Sequence, residues 1–127
     1  MHYALNYRLR SDVLAHDRVL LTDAYRELAT LRPNWLACET FRLDDQTSMI
    51  FLIEVEQVDW LDHAPLLSAY LQNLAERCEG EPRAGYVDRP SIDVTDAHEI
   101  GLWDPTRGTS TVPPAHRSAA LQDRHDA

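Results

Sequence analysis

No lysine occurs anywhere in this chain, and all 12 of its basic residues are arginine. Schiff-base chemistry and a lysine phosphate clamp both need an ε-amino group, so the sequence excludes both. Glycine is also scarce, with four residues among 127. Because these glycines are scattered, they form neither a phosphate-binding loop nor a dinucleotide-binding fingerprint. No serine or cysteine stands in a glycine-flanked turn between a strand and a helix, which argues against nucleophilic catalysis.

Cysteine is represented only by Cys38 and Cys78, which lie 40 positions apart. Neither has another cysteine or a histidine close by at a metal-ligand spacing. The sequence therefore predicts neither a zinc site nor a disulfide framework. We expect two ordinary buried thiols, no metal and no need for a covalent staple in a chain of this size.

Acidic residues outnumber basic ones by 21 to 12, which gives a formal net charge of −9. This balance repels nucleic-acid phosphates and anionic lipid headgroups, and no basic patch opposes it. No run of residues approaches the roughly 20 apolar positions of a membrane span, and no signal-peptide pattern precedes the first strand. We therefore expect a cytoplasmic protein without nucleic-acid or membrane partners.

The spacing of apolar residues predicts the secondary structure. Residues 3–9 alternate with a period of two, as in a strand, and residues 13–31 have the three-and-four spacing of a helix that Pro33 ends. Residues 35–43 and 49–56 are apolar runs joined by a polar segment, which predicts an antiparallel hairpin. A second helix follows, with Asp62 as its cap and Pro65 in its first turn, and Gly80 and Pro82 end it.

The last third of the chain is less regular. Residues 84–87 and 98–103 are shorter extended candidates, of which at least one should return to the sheet, and an acidic connector with Pro90 separates them. From residue 104 onward the chain carries too little apolar surface to offset the cost of ordering it. The sequence thus predicts one domain over residues 1–103 and a flexible tail over residues 104–127.

The predicted order is strand, helix, strand, strand, helix, strand. This is the ferredoxin-like α+β arrangement, βαββαβ, in which both helices pack on one face of an antiparallel sheet. The second and third strands are apolar on both faces, and a strand of that kind is normally covered on both sides. Two helices cover one face. We expect the same face of a second copy to cover the other, so that the protein is a homodimer.

The element order, the two-faced sheet and the stretch FLIEVEQVDWLDHAPLLSAYLQNL over residues 51–74 resemble the dimeric α+β barrel superfamily, most closely its antibiotic-biosynthesis monooxygenase branch. In that branch a tryptophan follows the third strand, and a histidine or another polar aromatic residue lies about ten positions later. Here these positions hold Trp60 and Tyr70. Haem-degrading relatives also carry a strand-one asparagine, matched by Asn6, and a histidine on the second helix. Residues 64–79 contain no histidine, so haem binding is not expected and no cofactor is predicted.

The resemblance implies oxidation of an aromatic or polyketide-like small molecule without metal or flavin, in a pocket between the sheet and the helices. Tyr70 would donate or relay a hydrogen bond, His63 would act as base, and Asn6 would orient the substrate oxygen. Trp60 would stack on the substrate and Arg8 would stabilise an enolate. The alternative is a non-catalytic dimer that binds a small ligand or a protein partner, because one fold supports many functions.

Overall fold

The computed structural model describes residues 2–87, 97–106 and 109–113. These residues form two α-helices, α1 (Leu14–Leu31) and α2 (Pro65–Gln72), and six strands: β1 (His2–Arg8), β2 (Leu36–Leu43), β3 (Ser48–Val55), β4 (Arg83–Val87), β5 (Ala97–Asp104) and β6 (Thr109–Thr111). Short 3-10 turns at Ser11–Val13, Val58–His63 and Leu74–Arg77 flank the two helices.

The six strands form one antiparallel sheet in the order β4-β1-β3-β2-β5-β6. The prediction of an α+β fold built on an antiparallel sheet is confirmed, and the first four strands are arranged compatibly with a ferredoxin-like fold. Strands β5 and β6 extend that arrangement beyond β2. Both extended candidates in the last third of the chain, β4 and most of β5, belong to the sheet.

The core lies between one face of the sheet and the two helices. Phe51 at its centre stacks on Tyr25 of α1, with ring centres 6.2 Å apart, and contacts Tyr70 of α2 at 6.0 Å. All three side chains are at most 2% exposed. Fully burying an apolar side chain of this kind contributes roughly 1.5–3 kcal/mol, so this packing fixes both helices on the same face.

A close approach between α1 and β5 explains one of the four glycines. A Cβ atom added at Gly101 would lie 2.6 Å from Cε2 of Tyr25, a distance that real side chains do not show. The hydroxyl of Tyr25 is hydrogen-bonded to Oγ1 of Thr40 at 2.8 Å, and both side chains are buried. Gly101 therefore gives Tyr25 the space to reach across the sheet to β2.

The second helix differs from its prediction in two ways. It is a shorter α-helix between two 3-10 turns, and Asp62 does not cap it. The carboxylate of Glu27, on α1, accepts hydrogen bonds from the backbone N–H groups of Leu66 at 3.0 Å and Leu67 at 3.2 Å. Asp62 instead accepts a long hydrogen bond of 3.4 Å from Ser68 Oγ. The predicted cap is wrong because a residue of the other helix takes its place.

The sheet continues beyond residue 103, the predicted end of the domain. Strand β5 continues to Asp104, β6 pairs with it, and the carbonyl oxygen of buried Pro113 accepts a 3.0 Å hydrogen bond from Thr22 Oγ1. Residues 109–113 are therefore attached both to the sheet and to α1. The rest of the predicted tail, residues 114–127, and the acidic connector with Pro90 lie outside the described residues.

No described element covers the second face of the sheet, which we call the open face. The strand register places Asn6, Ile50 and Phe41 side by side on it, and Ala4, Leu52, Glu39 and Leu102 form the next row. Phe41 and Ile50 are half-buried by their neighbours in the sheet alone. Within the described ranges, neither helix is long and apolar enough to cross a membrane.

Candidate functional site

The five residues predicted from the sequence do not meet in one place. Asn6 and Arg8 project from β1 onto the open face, where both are exposed. Tyr70 is 2% exposed and lies on the opposite, helix-covered face. Because successive side chains of a strand point to opposite faces, the neighbour of Asn6 that reaches Tyr70 is Tyr7.

Trp60 and His63 form a separate aromatic group at the end of β3. Both rings stand edge-on to Trp35, with ring centres 6.1 Å away for Trp60 and 6.3 Å away for His63. Trp60 is half-buried and His63 is exposed. The structure thus brings together two of the five predicted residues, through a tryptophan that the sequence analysis did not assign to a site.

Tyr70 belongs to a buried polar network that the sequence analysis missed. Its hydroxyl donates to Asp17 Oδ2 at 3.0 Å and lies 2.9 Å from the hydroxyl of Tyr7. The other carboxylate oxygen of Asp17 accepts a 2.8 Å hydrogen bond from Nε of Arg77. The signal was present in the sequence, because Asp17 stands one helical turn before Leu21 on the buried stripe of α1.

Arg77 also holds the end of α2. Its NH1 and NH2 groups donate to the carbonyl oxygens of Asn73 and Tyr70, each at 3.1 Å, and its guanidinium lies 4.6 Å from the ring centre of Tyr70. Carbonyl groups at the end of a helix lack partners within the helix, and a cation there also interacts favourably with the helix dipole. Arg77 therefore satisfies an acidic side chain and two orphaned carbonyl groups at once.

Burial determines the protonation of this network. It raises the pKa of Tyr70 well above the ordinary value of a phenol, and it also raises the pKa of Tyr7. Burial raises the pKa of Asp17 too, although the hydrogen bond and the charge of Arg77 oppose this. Both phenols are consequently neutral at physiological pH. Tyr70 is a hydrogen-bond donor whose hydroxyl is already engaged by Asp17.

Two surface hollows are relevant to the predicted pocket. One touches Tyr70 and Arg77 from the outer side, between α1 and α2, and Leu20 and Leu66 also line it. The other lies at the end of β2 and β3, where Trp35, Leu52 and Leu102 form part of its lining. The space between the sheet and the helices is filled at the position of Tyr70 by Phe51, Tyr25 and Leu67, which are fully buried. In the parts of the chain that the structure describes, no three His, Cys, Asp or Glu side chains are grouped to hold a metal ion.

Comparison of the chain with models of protein families, with curated proteins and with solved structures finds no match. The resemblance to dimeric α+β barrels therefore stays a prediction.

Proposed function

We propose that this protein is a non-catalytic, homodimeric interaction domain in which the open faces of two copies pack together. In this proposal the fold is ferredoxin-like, βαββαβ with two added strands, and the pair forms a dimeric α+β barrel. The observation that carries it is the apolar character of the open face. Its apolar side chains come from β1, β2, β3 and β5: Ala4, Phe41, Leu43, Ile50, Leu52 and Leu102.

Contiguous apolar surface is rare on proteins that remain monomeric, because each Å² removed from water contributes about 25 cal/mol. An antiparallel sheet with one solvated face normally alternates apolar and polar side chains. Strand β3 departs from this rule, since Ile50 and Leu52 on the open face alternate with Phe51 and Ile53 on the core face. A second layer over the open face would remove that surface from water.

The charges of the open face favour a second copy as that layer. Arg8 lies at one end of β1, where its NH2 is 3.3 Å from Asp45 Oδ2, and Glu54 lies at the other end, 3.4 Å from His2 Nε2. Both are surface pairs of low energy, so each residue can still contact a partner of opposite charge in a second copy. These two rows are six positions apart, which corresponds to about 20 Å along a strand. We place the two-fold axis in the plane between the two packed faces, perpendicular to the strands. This axis brings Arg8 of each copy to the Glu54 end of the other. A face with opposite charges at opposite ends is complementary to itself.

Oxidation of an aromatic or polyketide-like molecule stays a prediction, and the geometry supports it less well. The five predicted residues are divided between the two faces of the sheet and the end of β3. The hydroxyl of Tyr70 already has two polar partners inside the core. The arrangement thus favours the non-catalytic alternative.

The test is the molar mass of the protein by light scattering and sedimentation equilibrium at micromolar concentration. The wild-type chain should be a dimer, and Ile50→Glu should be a monomer, because it places a charge in the middle of the interface. Val19→Glu is the matched control, since Val19 is an exposed apolar residue on α1, and it should remain dimeric. A monomeric wild type, or an unchanged dimer of Ile50→Glu, would reject the proposal.

The charge arrangement has its own test. Arg8→Glu should weaken the dimer, because it brings two acidic groups together at each end of the interface. The double variant Arg8→Glu/Glu54→Arg should recover most of the lost affinity, since it exchanges the two charges. If the double variant is as weak as Arg8→Glu alone, the axis does not run in the proposed direction.

A further inference from the structure

The start of α1 and the end of β2 lie at the same level on the core face. Tyr25 contacts Thr40, whereas Arg32, seven residues later, has its guanidinium 5.3 Å from the ring centre of Trp103. Trp103 is paired with Cys38, two residues before Thr40. A later position on α1 therefore lies beside an earlier position on β2, so the two elements are antiparallel.

This register brings Arg18 close to Arg42. Arg18 precedes Tyr25 by seven residues, or two helical turns, which is about 10 Å along the helix and on the same face. Arg42 follows Thr40 by two residues, about 7 Å along the strand, and its side chain leaves the same face of the sheet. The register therefore directs the two side chains toward each other from opposite elements. In agreement with this, burial and then the charge of Arg42 lower the pKa of Arg18, and the charge of Asp17 only partly opposes them.

Neither arginine has a carboxylate at ion-pair distance among the described residues, although the charge of Asp17 acts on Arg18. Nε of Arg42 is buried and has no hydrogen-bond partner in the described part of the chain. Asp17, the neighbour of Arg18 in sequence, instead accepts the hydrogen bond of Arg77 Nε. A buried donor without a partner destabilises the fold, and repulsion between like charges adds to this cost.

We infer that Arg18 and Arg42 form a binding site for the phosphate or carboxylate group of a small molecule. A guanidinium presents a planar set of donors that matches such oxyanions, and two of them can grip one anion from two sides. Both side chains are half-buried, so the site is desolvated enough to strengthen the contacts and still open to solvent. It lies on the helix side of the sheet, and it is therefore independent of the proposed dimer interface.

The rim of the site limits which anions enter. His98 lies opposite Arg42 on β5, and its Nε2 is 2.7 Å from Oδ1 of Asp44. Asp44 places a negative charge near the entrance, and the protein as a whole has a net charge of −9. Highly charged polyanions such as nucleic acids are repelled by this field, whereas a small mono- or dianion can reach the two arginines with little of its charge near Asp44.

The experiment titrates the full-length protein by calorimetry and thermal shift with inorganic phosphate, glycerol phosphate and succinate, against sodium chloride of equal ionic strength. We expect saturable binding of at least one of these probes. Phosphate without succinate assigns a phosphate group, the reverse assigns a carboxylate, and binding of both supports the shared chemistry. An equal thermal shift with sodium chloride, or no saturable binding of any probe, overturns the inference.

Variants of the two arginines separate a binding site from a merely structural pair. Arg18→Gln and Arg42→Gln should each weaken anion binding about tenfold, because one charge-assisted contact is lost. Without anion, each variant should melt no earlier than the wild type, since the repulsion is relieved. Arg26→Gln, an exposed arginine on the same helix, is the control and should bind as the wild type does. Equal binding by Arg18→Gln and the control rejects the site.

Discussion

Arg77 Nε donates a 2.8 Å hydrogen bond to Asp17 Oδ1, and the two residues are 6% and 1% exposed. This contact joins the first turn of α1 to the 3-10 turn that follows α2, across 60 residues of chain. Tyr70 donates to the second oxygen of the same carboxylate. The pair is therefore a buried, hydrogen-bonded link between α1 and the segment that follows α2.

Breaking this pair should be costly. Arg77→Met leaves the Asp17 carboxylate buried without its counter-charge, and we expect the free energy of unfolding to fall by about 3–5 kcal/mol. Asp12→Asn removes the exposed ion pair with Arg10 and should cost less than about 1 kcal/mol. Urea denaturation at pH 7 measures both losses. Similar losses in the two variants would show that the buried pair stabilises the fold no more than the exposed one.

The same variant has a predictable pH dependence. Burial raises the pKa of Asp17 above its ordinary 3.8, and removing Arg77 takes away the opposing positive charge. A carboxyl group with a raised folded-state pKa stabilises the fold most below its unfolded pKa, and this contribution is lost as the pH rises through the folded value. The deficit of Arg77→Met should accordingly be largest at neutral pH and shrink as the pH falls toward about 4. A deficit that is constant with pH would contradict this assignment.

Local periodicity predicted the elements but not the contacts between them. Helix α1 and the β2–β3 hairpin are close to their predicted ranges, because apolar spacing reports directly which face of an element is buried. Asp17 lies on the buried stripe of α1, but a carboxylate there is explained only by Arg77, which is distant in sequence. The attachment of Pro113 to Thr22 was missed for the same reason, since a single hydrogen bond leaves no pattern in the chain.

The candidate site illustrates a second limit. The alternation of β1 required that Asn6 and Arg8 share one face and Tyr7 the other, and the helical stripe required that Tyr70 be buried. Which face of β1 the helices cover is decided by packing across the whole sheet, and the sequence leaves both choices open. The predicted set of five residues combined side chains from both choices, and this is why they do not converge.

The start of α2 offers a direct comparison between the predicted cap and the observed one. Glu27→Gln weakens the hydrogen bonds to the N–H groups of Leu66 and Leu67, and Glu27→Ala removes them. Loss of a helix cap costs typically about 1 kcal/mol, so we expect Glu27→Ala to lower the free energy of unfolding by that amount, as measured in urea. Asp62→Ala should cost distinctly less, because Asp62 makes no cap hydrogen bond. The reverse ranking would restore the sequence-based assignment.

Cys38 should be unreactive toward thiol reagents, and its thiol should stay protonated at mildly alkaline pH. Burial raises the pKa of its thiol from 9.0 to about 12, so the native protein contains almost no Cys38 thiolate at pH 8. A disulfide reagent at that pH should leave Cys38 unmodified until urea unfolds the chain, because the thiolate is the reactive form.

The raised pKa of Cys38 also has a thermodynamic consequence. A group whose pKa is raised on folding stabilises the native state below its unfolded pKa, and this contribution is lost between pH 9 and about 12. Cys38→Val keeps an apolar side chain of similar size but cannot ionise. At pH 10.5 the stability difference between wild type and Cys38→Val should therefore have moved by about 2 kcal/mol in favour of Cys38→Val, relative to pH 7, because only the wild type loses this contribution. We expect to measure this by urea unfolding under reducing conditions, and parallel stability curves from pH 7 to pH 10.5 would mean that the folded protein leaves the pKa of this thiol unchanged.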